Sequence, residues 1–328
     1  MNRTRIPWTH VLGKEQKHGG TSAGHAYADF GPYNVGLAPV SYERAINDVF
    51  DSRRISMVRE KIPNTNAIVG DKGGEDRVYG IVGSRYHLIT PDTLVGLWDE
   101  HIGRPVTSIG AVDKGERFFI ATKLPGFDIK GSEVENTLVL TSPMNGREAL
   151  TAMLAPIHLV CTNGLVSIGE AVSAFRMRHF RDNISRLAEW LANVYQSSIA
   201  QLEVVEEAYN VLAQTKATPE LMTAALDAAY PFPTLPENPT MEEIARGNRD
   251  FEFAEVRRRQ ARRLYAVDGT GADIPANNGT AFGLFNAVAE LIDYGVPGEV
   301  RRTSARSAAF GSGADTKRRT LNALLRAA

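Results

Sequence analysis

The chain has 328 residues, 43% hydrophobic and 23% charged, with a formal net charge of −1, an ordinary globular composition. The near-neutral balance excludes a global basic field, so any nucleic-acid contact has to come from local clusters. A single cysteine excludes an internal disulfide framework and a cysteine-rich zinc site. No apolar run approaches the roughly 18 residues of a membrane span, and the N-terminus lacks the apolar region of a signal peptide. The expectation is a cytoplasmic protein with no membrane partner, no metal and no cofactor.

In chain order, Arg5-Ile6-Pro7-Trp8 suggests an ordered start, and Lys14 to Gly24 reads as a loop whose histidines have no acidic or thiol neighbours to complete a metal site. Ser41 is placed to cap a short helix over Tyr42–Val49. A hairpin follows: Arg53–Lys61, extended through Thr65–Val69, pairs with Arg77–Val82 across Asp71-Lys72-Gly73-Gly74. Ser84–Ile89 reads as a short strand. Thr90-Pro91-Asp92 then combines a cap, a proline at the first helical position and an acid in the first turn, opening a helix that stops near Gly103.

The centre of the chain is read as a sheet followed by a helix. Thr107–Val112 and Arg117–Leu124 form the clearest hairpin, Asn136–Thr141 adds a strand, and Ala149–Val160 another, with Pro156 at an edge or bulge. After Cys161-Thr162-Asn163-Gly164 a helix is expected from about Ser167 to Leu212. Phe180, Ile184, Leu187, Leu191, Val194, Leu202, Val205, Tyr209 and Leu212 recur mostly in steps of three and four. Its first turns would carry Arg176, Arg178, His179 and Arg181. So long a seam needs either a break near Gln196-Ser197-Ser198 or a cover beyond the sheet, from a second helix or another subunit.

Thr218-Pro219-Glu220 starts a further helix to about Ala229. Pro231, Pro233, Pro236 and Pro239 make an extended linker. Thr240 with Glu243 forms a capping box for a helix running through Arg257, Arg258, Arg259, Arg262 and Arg263, five arginines in seven residues. Gly279 to Tyr294 is another helix, and Asp315 to Ala328 the last. Lys317, Arg318 and Arg319 at its start oppose the helix dipole, which favours a nearby anion. The fold class is therefore α+β: an antiparallel β-meander packed against one long helix, with additional C-terminal helices. The division is a core domain over 1–230, a Pro-rich linker over 231–240, and a helical segment over 241–328 that packs back on the core.

Several stretches together resemble one family in order and spacing. They are Arg5-Ile6-Pro7-Trp8 with Leu12-Gly13, Val82 to Ile89 with Arg85-Tyr86, Val160-Cys161-Thr162-Asn163, Arg178-His179, Gly279 to Ala287 with Asn286, and Phe310-Gly311-Ser312-Gly313-Ala314. They resemble the phage/plasmid-like proteins grouped as a domain of unknown function, DUF932. The resemblance implies an origin in a mobile genetic element and carries over no catalytic residue.

Cys161 with His158 and Asn163 invites a nucleophile reading. In a strand, however, Cys161 and His158 point to opposite faces, so Asn163-Gly164 reads better as a turn. The leading expectation is a non-enzymatic protein that binds single-stranded DNA in replication or recombination. It draws on the topology of a meander followed by a long helix, similar to the single-strand annealing proteins common in phages. The candidate contacts are Arg117, Lys123, Arg147, Arg176, Arg178, His179, Arg181, Arg258, Arg259, Arg262, Lys317 and Arg318, with Phe118, Phe119 and Phe180 as candidate base-stacking rings. A homo-oligomer is expected, and the alternatives are an oligomeric interaction protein, structural or host-directed, that docks through Val194–Leu212, and an enzyme dependent on Cys161.

Overall fold

The computed structural model describes residues 17–21, 34–47, 55–71, 76–112, 116–158, 175–179, 186–295, 307 and 311–328. Its frame is a six-stranded antiparallel sheet in the order β1-β5-β6-β7-β8-β9. The strands are β1 (Lys17–Thr21), β5 (Val106–Val112), β6 (Arg117–Ile129), β7 (Ser132–Pro143), β8 (Leu150–His158) and β9 (Phe175–Met177). From β5 to β8 the order is sequential, as short hairpin connections dictate, and β9 pairs antiparallel with β8 at the edge. Pro125-Gly126 does not end β6. The register slips between Leu124 and Phe127, and pairing with β7 resumes, so a bulge absorbs the proline that sequence reading takes as a terminus.

A second sheet holds β2 (Asn34–Asn47), β3 (Ile55–Asp71) and β4 (Asp76–Gly83). The helix expected over Tyr42–Val49 is overturned as far as Asn47: Tyr42 pairs with Glu60 and Asn47 with Ile55, so long-range ladder bonds override the local cap signal. Ser84–Ile89 is likewise not a strand; it is a turn and an extended run with an isolated bridge at Tyr86. The small sheet docks on the turn after β7 through two glycines. A Cβ on Gly80 would lie 2.2 Å from the Asn145 carbonyl oxygen, and one on Gly146, at φ +71°, 2.3 Å from a Val82 methyl. Only glycine permits that approach.

The helix α1 (Pro91–His101) starts as its sequence specifies, with the Thr90 hydroxyl accepting from the Thr93 N–H and Pro91 in the first turn. It buries Leu94, Val95 and Trp98, and the Trp98 indole donates to the Arg104 carbonyl at 3.1 Å.

The single long helix is corrected. Residues 175–177 form the edge strand β9, and the helical run begins at Leu187 as α2 (Leu187–Ala200), bends at Gln201, and continues as α3 (Leu202–Gln214). Ser198 is buried and its hydroxyl donates back to the Val194 carbonyl at 2.8 Å, a bond that bends helices. The apolar seam from Leu187 through Leu191, Val194, Val205 and Tyr209 to Leu212 is buried as its spacing requires. Its far half is covered from within the chain. Tyr209 is fully buried, with the Phe282 ring at 5.7 Å, Phe285 at 5.8 Å and Phe127 at 6.5 Å. This removes that half of the seam as the partner surface.

Phe282 and Phe285 belong to α6 (Ala281–Asp293), all thirteen residues of which are buried. Around it lie α4 (Pro219–Ala229), α5 (Met241–Arg263, with its Thr240–Glu243 capping box) and α7 (Ser312–Ala327). A π-helical turn, Leu264–Asp268, closes α5. One core cluster runs from the sheet (Ile109, Ile120, Leu138) through α3 to α6 and α7 (Phe282, Leu321).

Candidate nucleic-acid interface

The period-two alternation from Arg176 to His179 decides the local geometry. Arg176 and Arg178 are exposed, while Met177 and His179 are buried, as at a sheet edge with one face on the core. Facing the same space, the start of α2 presents Arg186, Glu189, Trp190 and Asn193, beside its buried Leu187–Leu191–Val194 seam, with Trp190 nearest the seam and half-buried. The two elements enclose an open cleft of about 410 Å³ lined by Arg176, Met177, Arg178, Arg186, Glu189, Trp190 and Asn193. Arg186 stands 4.0 Å from Glu189, with both side chains about 70% exposed (73% and 69%), so this contact is weak. The cleft thus gathers three guanidinium groups and a half-buried indole at the end of a rigid sheet.

Behind the cleft edge, two stretches far apart in sequence meet. The His179 imidazole stacks on the Tyr86 ring, with centroids 5.2 Å apart and planes 7° from parallel. The His87 N–H donates to the His179 carbonyl at 2.9 Å. The Tyr86 hydroxyl and both His179 ring nitrogens are buried with no hydrogen-bond partner among the described residues. Burial lowers the His179 pKa to about 4 and raises that of the Tyr86 phenol. His179 is therefore neutral at physiological pH and supplies no charge to a phosphate; it is a packing residue that anchors the strand bearing Arg176 and Arg178.

The other expected contacts divide sharply. Arg117 is buried and paired with Glu148. Lys123 is exposed but pairs with Glu135 at 2.6 Å. Arg147 is exposed in the turn after β7. None of the three lines the cleft. Arg258 is buried, donating to Asp227 at 2.6 Å and to the Tyr230 carbonyl at 3.2 Å. Lys317 is fully buried against an equally buried Asp293 at 2.6 Å: the anion inferred from its place in the helix is a side chain of the same molecule. Arg259 and Arg262 are exposed, and Arg318 pairs with Asp315. Phe118 and Phe119 are core residues at 0% and 1% exposure, unavailable for stacking. Arg181, Phe180 and the Cys161-Thr162-Asn163-Gly164 stretch lie outside the described residues.

Sequence reading missed Arg186, Trp190 and Asn193. Their signal is a strip at i, i+4 and i+7 beside the apolar seam, which any helical reading puts on one face; what the sequence does not show is that β9 lies against that face. Among the described residues, no group of three or more His, Cys, Asp or Glu side chains is placed to hold a metal, and no helix is long and apolar enough to cross a membrane.

An α+β chain with a cationic cleft at a sheet edge is the class that fold and site define. The model of the domain of unknown function DUF932 matches residues 78–325, and the chain belongs to that family. No curated protein and no solved structure matches it. The matched span includes Arg85-Tyr86 and Arg178-His179, whose Tyr86 and His179 rings stack behind the cleft.

Proposed function

We propose that the protein binds single-stranded nucleic acid through the cleft between β9 and α2, in the replication or recombination of a mobile genetic element. The observation that carries this is the convergence of Arg176, Arg178 and Arg186, from two separate elements, on one open cleft beside Trp190. Guanidinium groups on a rigid support take phosphate oxygens in paired hydrogen bonds. An adjacent indole offers a ring face on which an unpaired base stacks without sequence preference. The cleft is too small and too open for a duplex to be read inside it, which favours a single strand threaded along its rim.

The test is titration of oligothymidylate, followed by fluorescence anisotropy, with the wild-type protein and the triple variant Arg176→Ala/Arg178→Ala/Arg186→Ala. The expected result is binding at low salt by the wild type and its near-complete loss in the variant, with an unchanged melting temperature. Equal binding by both proteins, or none by the wild type, contradicts the proposal.

A further inference from the structure

The cleft holds a carboxylate among its guanidinium groups. Glu189 lines it together with Arg176, Arg178 and Arg186, and its side chain is 69% exposed. Arg186 stands 4.0 Å away, too far and too exposed to fix either side chain. A carboxylate only accepts hydrogen bonds, and it repels phosphate. On a single strand, the groups that suit it are the N–H donors of an unpaired base.

Its neighbours set where such a base lies. Trp190 follows Glu189 in the chain, packs against the core and lines the cleft, so a base stacked on the indole lies beside Glu189. Asn193 is exposed and lines the same cleft. It is four residues on from Glu189 and three from Trp190, spacings that put side chains on one helix face with Cβ atoms about 5–6 Å apart. Glu189 and Asn193 thus offer an acceptor and an amide side by side, a span that suits the edge of a purine.

The chemistry of the bases selects among them. Guanine carries N1–H and its N2 amino group next to each other on the Watson–Crick edge, with the O6 acceptor alongside. Thymine has a single N–H between two carbonyl oxygens. Cytosine and adenine each present one amino group beside a ring nitrogen that repels a carboxylate. Two parallel N–H···O bonds to one carboxylate make the stronger, bidentate pair, and guanine supplies both donors. That edge is occupied in a duplex, so the base has to be unpaired.

We propose that Glu189 and Asn193 select guanine: the Glu189 carboxylate accepts from N1–H and the N2 amino group, the Asn193 amide donates to O6, and Trp190 carries the ring. This rests on the single-strand reading above and deepens it. The arginines set affinity for any strand, and Glu189 sets which base is preferred.

The experiment compares three oligonucleotides of equal length: oligothymidylate, the same strand with one central guanosine, and the same strand with inosine there, which lacks the N2 amino group. Binding is followed by fluorescence anisotropy for the wild type and Glu189→Gln, with melting curves as the control; at so exposed a position both are expected to fold. A bidentate base contact corresponds to roughly a five- to hundredfold preference. The wild type is expected to favour the guanosine strand by that factor and to lose most of the gain with inosine. Glu189→Gln is expected to bind the guanosine strand more weakly and oligothymidylate as well or better, because a negative charge has left the cleft. Equal wild-type affinity for guanosine and thymidine strands overturns guanine selection and leaves the cleft standing. A guanine preference that survives in Glu189→Gln also overturns it, because the base is then read elsewhere. A wild type that binds none of the strands overturns both readings.

Discussion

In the cleft beside β9, Arg176, Arg178 and Arg186 stand exposed on two separate elements, whereas in the C-terminal helices Arg258 and Lys317 are buried against Asp227 and Asp293. In sequence both regions offer candidate phosphate contacts: the first has Arg176, Arg178 and Arg181 at the head of the expected long helix, the second has denser arginines and a lysine at a helix start where a cation is misplaced. The structure separates them. A cation whose counter-ion lies within the chain contributes to folding and has little left to offer a ligand. One exposed at an open edge is within reach of a partner. Density of charge along the chain is thus a weaker guide than the burial of each charge and the place of its partner.

The largest effect that would sharpen this contrast is expected at Lys317. Lys317→Met leaves Asp293 fully buried without its ammonium partner, which costs about 3–5 kcal/mol. Adding Asp293→Leu recovers most of the loss, because an apolar pair of similar volume suits the site. Denaturant unfolding of the single and double variants measures both; a Lys317→Met protein as stable as the wild type would break the comparison.

The next effect is one of pH, at His179. Its folded pKa of about 4 lies below the ordinary 6.5, so the neutral form is the one the fold accepts. Above pH 6.5 that contribution is complete. As pH falls from 6.5 to 4 the unfolded chain takes up a proton that the folded chain refuses, and stability declines, by about 3 kcal/mol in all at 1.36 kcal/mol per unit. Below pH 4 this group adds no further loss. His179→Phe keeps a ring against Tyr86 and is expected to flatten that part of the stability profile.

Arg258→Ala is expected to cost about 2 kcal/mol, through lost hydrogen bonds to Asp227 and the Tyr230 carbonyl, and to loosen Phe232. Substituting Arg176, Arg178 or Arg186 by Ala is expected to change stability by less than about 0.5 kcal/mol, as at exposed positions generally. A clear destabilisation there would place these arginines with the structural set.

Much of this fold is legible in the sequence where the signal is local. The caps at Thr90, Thr218 and Thr240, the hairpin of β5 and β6, and the seam from Leu187 to Leu212 follow from short-range chemistry. What is lost depends on distant partners. The strand ending at Asn47 exists because Ile55–Lys61 pairs with it, a fact no local cap can reveal. The strand at Phe175–Met177 is misread as helix because the alternation of Arg176 to His179 is only four residues long. The candidate site shares that limit. Arg176 and Arg178 stand out by charge, but Arg186, Trp190 and Asn193 become recognisable only once β9 is seen to lie against their face of α2. Nothing in the composition announces that Arg117, Arg258 and Lys317 have internal counter-ions.

The central claim is that the cleft arginines, and not the buried ones, meet phosphate. Its most direct test is the salt dependence of oligothymidylate binding, measured for the wild type and for Arg176→Ala/Arg178→Ala/Arg186→Ala. Each phosphate contact on a single strand contributes about 0.7 to the slope of log affinity against log salt concentration. Three lost contacts should therefore reduce the slope by about 2. A steep wild-type slope that becomes shallower by that amount is the predicted result; a slope identical in the two proteins would contradict it.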